Sequence, residues 1–188
     1  KYALDNGAWS YYSRGIQFDA QRFSHALQKL GTNADWTVIP DIVAGGLASL
    51  DLSLRWMRTV LDASPMALLA VQDGMLPRDV RPFLSTHVGI FIGGSTAWKL
   101  HTLHQWSDIG AAIGCWVHVG RVNTVCRIRA CQIARVTSID GTSVTKFPST
   151  LPLLASALAQ GVLPLARSDA SLTSMGISVE PPILKEAK

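Results

Sequence analysis

"VGIFIGGS", residues 88–95, runs apolar or small from Val88 to Ile92 and closes on Gly93, Gly94 and Ser95. The run is too short for a helix, and its apolar residues are consecutive rather than alternating. It predicts a strand buried on both faces. Such strands belong to parallel sheets, where the crossover segments cover the sheet. The glycines and the serine then punctuate the exit.

The same design recurs outward from this stretch. "YALDNG" (2–7), "WTVIPDIVAGG" (36–46), "ALLAVQDG" (67–74), "WVHVGR" (116–121) and "RVTSIDG" (135–141) are short apolar runs ending in Gly or Asp. Helical patterns lie between them. "DAQRFSHALQKLG" (19–31) sets Phe23, Ala26, Leu27 and Leu30 on one face and stops at Gly31. "SLDLSLRWMRTVLD" (49–62) repeats the pattern, and "STAWKLHTLHQWSDIGAAIG" (95–114) does so less cleanly. "NTVCRIRACQIA" (123–134) predicts Val125, Ile128 and Ile133 inward and arginines outward.

Strand–helix alternation implies parallel strands joined by right-handed crossovers. An open doubly wound sheet and a barrel both satisfy it. The glycine-rich dinucleotide fingerprint is absent, which favours a TIM-like (β/α)8 barrel. Six strands are clear, and a seventh is placed near "GVLPLA" (161–166). The chain begins at Lys1 without a methionine and almost at once with a strand. Upstream residues are therefore expected, and the barrel is incomplete at its N-terminus as given. Residues 1–175 form one barrel domain in this reading, and 176–188 form a solvated tail.

Composition bounds the function. The 188 residues suffice for one domain with a real core. At 48% hydrophobic and 16% charged, the chain is not a disordered one. A net charge of +4 permits a polyanionic partner without establishing one. Three cysteines, Cys115, Cys126 and Cys131, form no CxxC pair and fit a reducing, cytoplasmic compartment. Neither a zinc-ligand spacing, a membrane-spanning run nor a signal peptide is visible.

In a barrel, chemistry gathers where the strands end. There stand Asp5, Asp41, Gln72 and Asp73, Gly93 and Gly94, His118 and Gly120, and Asp140. Each has a bland reading. Asp140-Gly141 is a common turn pair. Asp41 follows Pro40 and could be a strand exit, and Asp73 beside Gly74 is a turn residue. Trp9 could be core, and His118 reads as a hydrogen-bonded core histidine. His101 and His104 read as surface residues, and Trp98 and Trp106 as exposed candidates for an interface. Ser95 in "STAW" reads as a helix cap whose following amides could meet a phosphate. Arg121, Arg127, Arg129 and Arg135 are either a solvated face or part of a nucleic-acid track.

Several carboxylates converging on one rim cost energy unless they are used. Two carboxylates about an anomeric carbon are what glycosyl transfer needs: one attacks, the other handles the leaving group's proton. Amide, backbone and aromatic groups nearby can read a planar polar base.

The order "DNGAW", "PDIV", "AVQDG", "FIGGS", "HVGRV", "IDGT" resembles the tRNA-guanine transglycosylase superfamily, most closely its small phage and bacterial DNA-modifying members. The likeness runs from about Tyr2 to about Lys146. It implies exchange of guanine in DNA for a 7-deazaguanine precursor through a covalent aspartyl-glycosyl intermediate on a TIM barrel. It makes Asp140 the nucleophile and Asp5 the general acid/base. It places Trp9 as a stacking aromatic, and Asp41 and Gln72 at the purine edge. Gly93, Gly94 and Gly120 offer backbone to the heterocycle. Lys146 and Arg121 hold backbone phosphate, which positions nucleic acid without reading sequence. The implied partners are DNA, with guanine single-stranded or flipped out, and a small heterocyclic base as co-substrate. No metal, other cofactor or membrane is implied, and the setting is a bacterial or phage-infected cell.

Two departures matter. The chain lacks the zinc-binding Cys/His insertion of the tRNA enzymes, which favours the DNA-type reading. "DNGAW" replaces "DSGGF", so Asn6 stands for a serine and Ala8 for a glycine. A tRNA-type enzyme, a nucleic-acid-binding barrel without chemistry, and a transferase of small nucleosides remain the alternatives.

Overall fold

The computed structural model describes residues 2–160. The expected seventh strand at 161–166, the end of the domain at 175 and the tail at 176–188 lie outside the described residues. Six strands form one sheet: β1 (Ala3–Leu4), β2 (Trp36–Val38), β3 (Ala67–Val71), β4 (Val88–Ile92), β5 (Val117–Val119) and β6 (Ser138–Ile139). Each sits inside one of the six apolar runs. The helices are α1 (Ala8–Ser13), α2 (Ala20–Leu30), α3 (Leu47–Ala63), α4 (Pro77–Val80), α5 (Thr96–Ile113), α6 (Val125–Ile133), α7 (Ser143–Lys146) and α8 (Leu151–Ala159).

The sheet order is β1-β2-β3-β4-β5-β6, and every pair is parallel. Leu69 pairs with Ile90, Ile92 with Val119, and Val119 with Ile139. Sequential order among the six described strands argues against the doubly wound sheet. A doubly wound sheet reverses direction at a switch point, and this one does not. Right-handed crossovers that always step the same way put every covering helix on one face. The other face must then bury itself by curling.

Two cores result. On the helix side, Leu4, Ile39, Leu69, Val71, Ile90, Ile92, Val117 and Val119 pack with Phe23 and Leu27 of α2, Leu50 and Val60 of α3, Leu103 and Trp106 of α5, and Ile128 and Cys131 of α6. On the concave side, the alternate residues Trp36, Val38 and Leu68 meet Met66, Phe91 and Trp116. The Trp36 ring of β2 lies 4.7 Å from the His118 ring of β5. Three strands apart on a flat sheet would be about 14 Å, so the sheet is curled into a half-barrel. The eight-stranded closure expected from the sequence is not reached by the described residues.

Close packing on the concave side explains Gly89. A Cβ there would lie 2.4 Å from the Trp116 carbonyl oxygen and 2.6 Å from Leu68 Cδ2. Three sequence expectations are corrected. Ile133 is exposed and Cys131 is buried in its place, because Ile133 lies about 140° round the helix from Ile128. Leu30 is exposed; Gly31 takes the close approach at that end, where a Cβ would stand 2.6 Å from the Ala63 carbonyl oxygen. Trp106 is fully buried in the helix-side core and presents no interface. No described helix is long and apolar enough to cross a membrane.

Candidate functional site

The strands are parallel, so all their C-terminal ends meet one rim. Side-chain alternation sorts what faces it. Trp116, His118 and Gly120 share the concave side of β5, and Ser138 and Asp140 share that of β6. The last inward positions of these two strands are therefore Gly120 and Asp140, with His118 and Ser138 one layer below.

Asp140 is held at both oxygens. Its Oδ2 lies 3.0 Å from Nε2 of His118, and its Oδ1 accepts from the Arg121 amide at 2.8 Å. Its backbone continues the ladder, with Asp140 N donating to Val119 O and Val122 N to Asp140 O. His118 is buried between the rings of Phe91 and Trp36. Its Nδ1 lies 2.8 Å from Ser138 Oγ, and that oxygen also accepts from Trp116 Nε1 at 2.8 Å. Tryptophan only donates. An ionised carboxylate only accepts, so Nε2 of His118 donates to Asp140, and the serine hydroxyl, with one proton and two lone pairs, can serve both Trp116 and Nδ1. Burial pushes the Asp140 carboxyl up, but the His118 bond, the Arg121 amide and the Lys99 charge outweigh it and hold the carboxyl below its ordinary value. The Asp140 side chain remains 49% exposed, against 3% for His118. The arrangement is an ionised, oriented carboxylate with an open face.

The opposite flank of the rim is tied by Asn6. This buried amide donates to Ile39 O at 2.8 Å and to Asp41 Oδ1 at 2.7 Å, and accepts from Ala8 N at 2.8 Å. It ties the β1 exit to the β2 exit, a role that needs two donors and that a serine could not fill. Burial raises Asp41 to about 6, the Asn6 bond opposes this, and the Asp5 charge adds to it. Asp5 is exposed, and its Oδ1 accepts from the Gly7 amide at 3.0 Å, where Gly7 takes φ 77°. Gln72 is buried and donates to Ile42 O at 2.8 Å, which ties the β3 exit to the β2 exit.

Gly94 takes φ 72°, and a Cβ on it would lie 2.5 Å from Asp73 Oδ2. Asp73 accepts from both the amide and the hydroxyl of Ser95 at 2.6 Å. Ser95 in turn caps α5 by accepting from Trp98 N. Asp73 is a turn residue, as its sequence context indicates. Gly93 continues the ladder through its amide to Val71 O. Gly120 brings its backbone against Phe91 and Asp140: a Cβ would stand 2.8 Å from Phe91 Cζ and 3.4 Å from Asp140 Oδ2.

Arg121 joins the two flanks. It takes φ 60°, rare for a residue with a side chain. Its guanidinium donates to Gly94 O and lies over the Trp9 ring at 4.5 Å. Trp9 is half exposed and also packs on Tyr12. Loops from β1 and β5 thus touch, which again requires the curl. Lys146 is exposed at the end of the short helix α7. Arg129 reaches Gln160 instead of the rim.

The sequence-predicted rim residues therefore share one edge of the sheet, and two flanks organise them. Sequence reasoning left three contributors outside the site: His118, Ser138 and Lys99. The first two carried a signal in the period of two, since His118 shares a face with Gly120 and Ser138 with Asp140. Lys99 carried none, because it reaches the site from a helix behind the sheet. Among the described residues, no group of three or more His, Cys, Asp or Glu could hold a metal ion. The chain matches no family model, and no curated protein matches it.

Proposed function

We propose that this chain is a base-exchange transglycosylase acting on nucleic acid. It replaces guanine in DNA with a 7-deazaguanine precursor on a TIM-like barrel. The sequence resemblance supplies the reaction. The observation that supports it here is the state of Asp140: ionised at neutral pH, fixed at both oxygens, and open on one side. That is what an attacking carboxylate requires.

In the proposed cycle, Asp140 attacks C1′ of an extruded deoxyguanosine. The C1′–N9 bond breaks as an aspartyl-glycosyl ester forms, and Asp5 shuttles a proton from solvent water to the departing guanine. The 7-deazaguanine then attacks C1′, its ring N–H proton passes to Asp5, and the ester bond to Asp140 breaks. Trp9 offers a stacking face, and Asp41 and Gln72 polar edges. Gly93, Gly94 and Gly120 admit the heterocycle to the backbone. Lys146 and Arg121 are positioned by charge for phosphate.

The test supplies labelled guanine with single-stranded DNA, duplex DNA, tRNA or free deoxyguanosine, and follows label entering each. Incorporation into DNA supports the reading. Incorporation into tRNA alone makes the chain a tRNA-type enzyme. Turnover of the free nucleoside alone makes it a small-molecule transferase. Binding without incorporation leaves a barrel that has kept the shape and not the chemistry.

A further inference from the structure

We propose that Lys99 is a positioning residue for Asp140, acting from behind the sheet through the Gly120–Arg121 peptide; its catalytic consequence rests on the transglycosylase reading above. Lys99 lies on α5, on the helix side, and is 5% exposed. Its Nζ donates to the Gly120 carbonyl. The N–H of that same peptide unit is the Arg121 amide, which donates to Asp140 Oδ1 at 2.8 Å. In a trans peptide these two groups point in opposite directions. A cation on the carbonyl side therefore polarises the amide aimed at the carboxylate on the other side. The absence of a side chain at Gly120 lets this peptide pack against Phe91, where a Cβ would stand 2.8 Å from Cζ.

Among the described residues, the groups around Lys99 point to Asp140. The groups acting on it are Arg121 at the end of β5, Arg127 and Cys131 on α6, and Asp140 beyond β6. Asp140 is the one carboxylate among them. The cleft around Lys99 is otherwise lined by Thr96 and by the apolar Leu100, Leu103, Val119 and Val122. A buried charge among such residues weakens the fold relative to an apolar residue of similar size. Burial pushes Lys99 down to about 8; Arg121 adds to this and Asp140 opposes it. The charge is therefore present at neutral pH and lost on mild alkalinisation, and Asp140 feels the loss.

The test is the carboxyl 13C titration of Asp140 and the amide shift of Arg121, in the wild-type chain and in Lys99→Met. In the wild type, both signals should inflect where Lys99 titrates. In Lys99→Met that inflection disappears, and the Asp140 midpoint rises by about half a pH unit or more. Lys99→Met should also melt no lower than the wild type at pH 7, whereas a purely structural lysine predicts a loss. Lys99→Gln, which keeps a donor but no charge, should fall between the two. In the base-exchange assay, kcat should drop about tenfold with KM unchanged. An Asp140 midpoint and Arg121 amide that ignore Lys99 in every form would overturn the proposal. The wild-type titration alone decides it should Lys99→Met fail to fold. Absence of base exchange in the wild type would defeat the functional reading, and the titration would still judge the relay.

Discussion

Nε2 of His118 lies 3.0 Å from Oδ2 of Asp140, joining a buried imidazole to a half-open carboxylate. The imidazole cannot swing away, because Phe91 stacks on it at 5.0 Å and Ser138 fixes Nδ1. His118→Phe keeps the ring stack and removes the donor. It should fold, lose about 1–3 kcal/mol as the Ser138 hydroxyl loses its His118 partner, and slow base exchange about 10- to 100-fold. His118→Gln can still donate and should lose less. Equal rates for His118→Phe and wild type would show that the bond does nothing for Asp140.

Asp41 makes a stability prediction with a definite sign. Burial raises its carboxyl from 3.8 to about 6 in the folded chain. The folded state then holds the proton more tightly than the unfolded chain. Its contribution is present below 3.8, is lost as pH rises to about 6, and is flat above. Asp41→Asn keeps an oxygen for Asn6 and removes the charge. It should melt several degrees above wild type at pH 7, and the gap should close by about pH 4. A lower melting temperature for Asp41→Asn at pH 7 would contradict this account of the rim.

The curl of the sheet is testable at Gly89. A methyl group there meets the Trp116 carbonyl and Leu68 on the concave side. Gly89→Ala should cost about 1–3 kcal/mol in denaturant unfolding. A flat sheet with an open face predicts no cost.

Lys146 is exposed at the end of α7, in the stretch that follows Asp140. If it grips phosphate, Lys146→Ala should weaken binding to all DNA sequences alike and flatten the salt dependence by about one charge. A change confined to one sequence context would mean that Lys146 reads bases instead.

The fold was legible because parallel strands buried on both faces leave a plain signal, and all six runs hold strands. Sequential strand order was not legible, because periodicity says which residues are buried and not which strands pair. Helix faces were read well over Phe23 and Leu27 of α2, and misread at the helix ends, where Leu30 of α2 and Ile133 of α6 are exposed. Asp140 and Asp5 announced themselves by ending strands. The network around Asp140 did not. His118 looks like a core histidine and is one, yet its Nε2 faces the rim. Lys99 is separated from Asp140 by 41 positions in the chain, and the peptide that joins them has no sequence signature. Asn6 looked like a mere departure from a motif until its two donors were placed on Ile39 and Asp41.

The most direct measurement is covalent trapping. The protein is incubated with guanine-containing single-stranded DNA, duplex DNA and tRNA, denatured, and weighed intact. The account predicts a protein–DNA adduct through Asp140 that Asp140→Asn abolishes while its circular dichroism and melting stay those of a folded protein. No adduct with any polymer, or an adduct that survives Asp140→Asn, would contradict it.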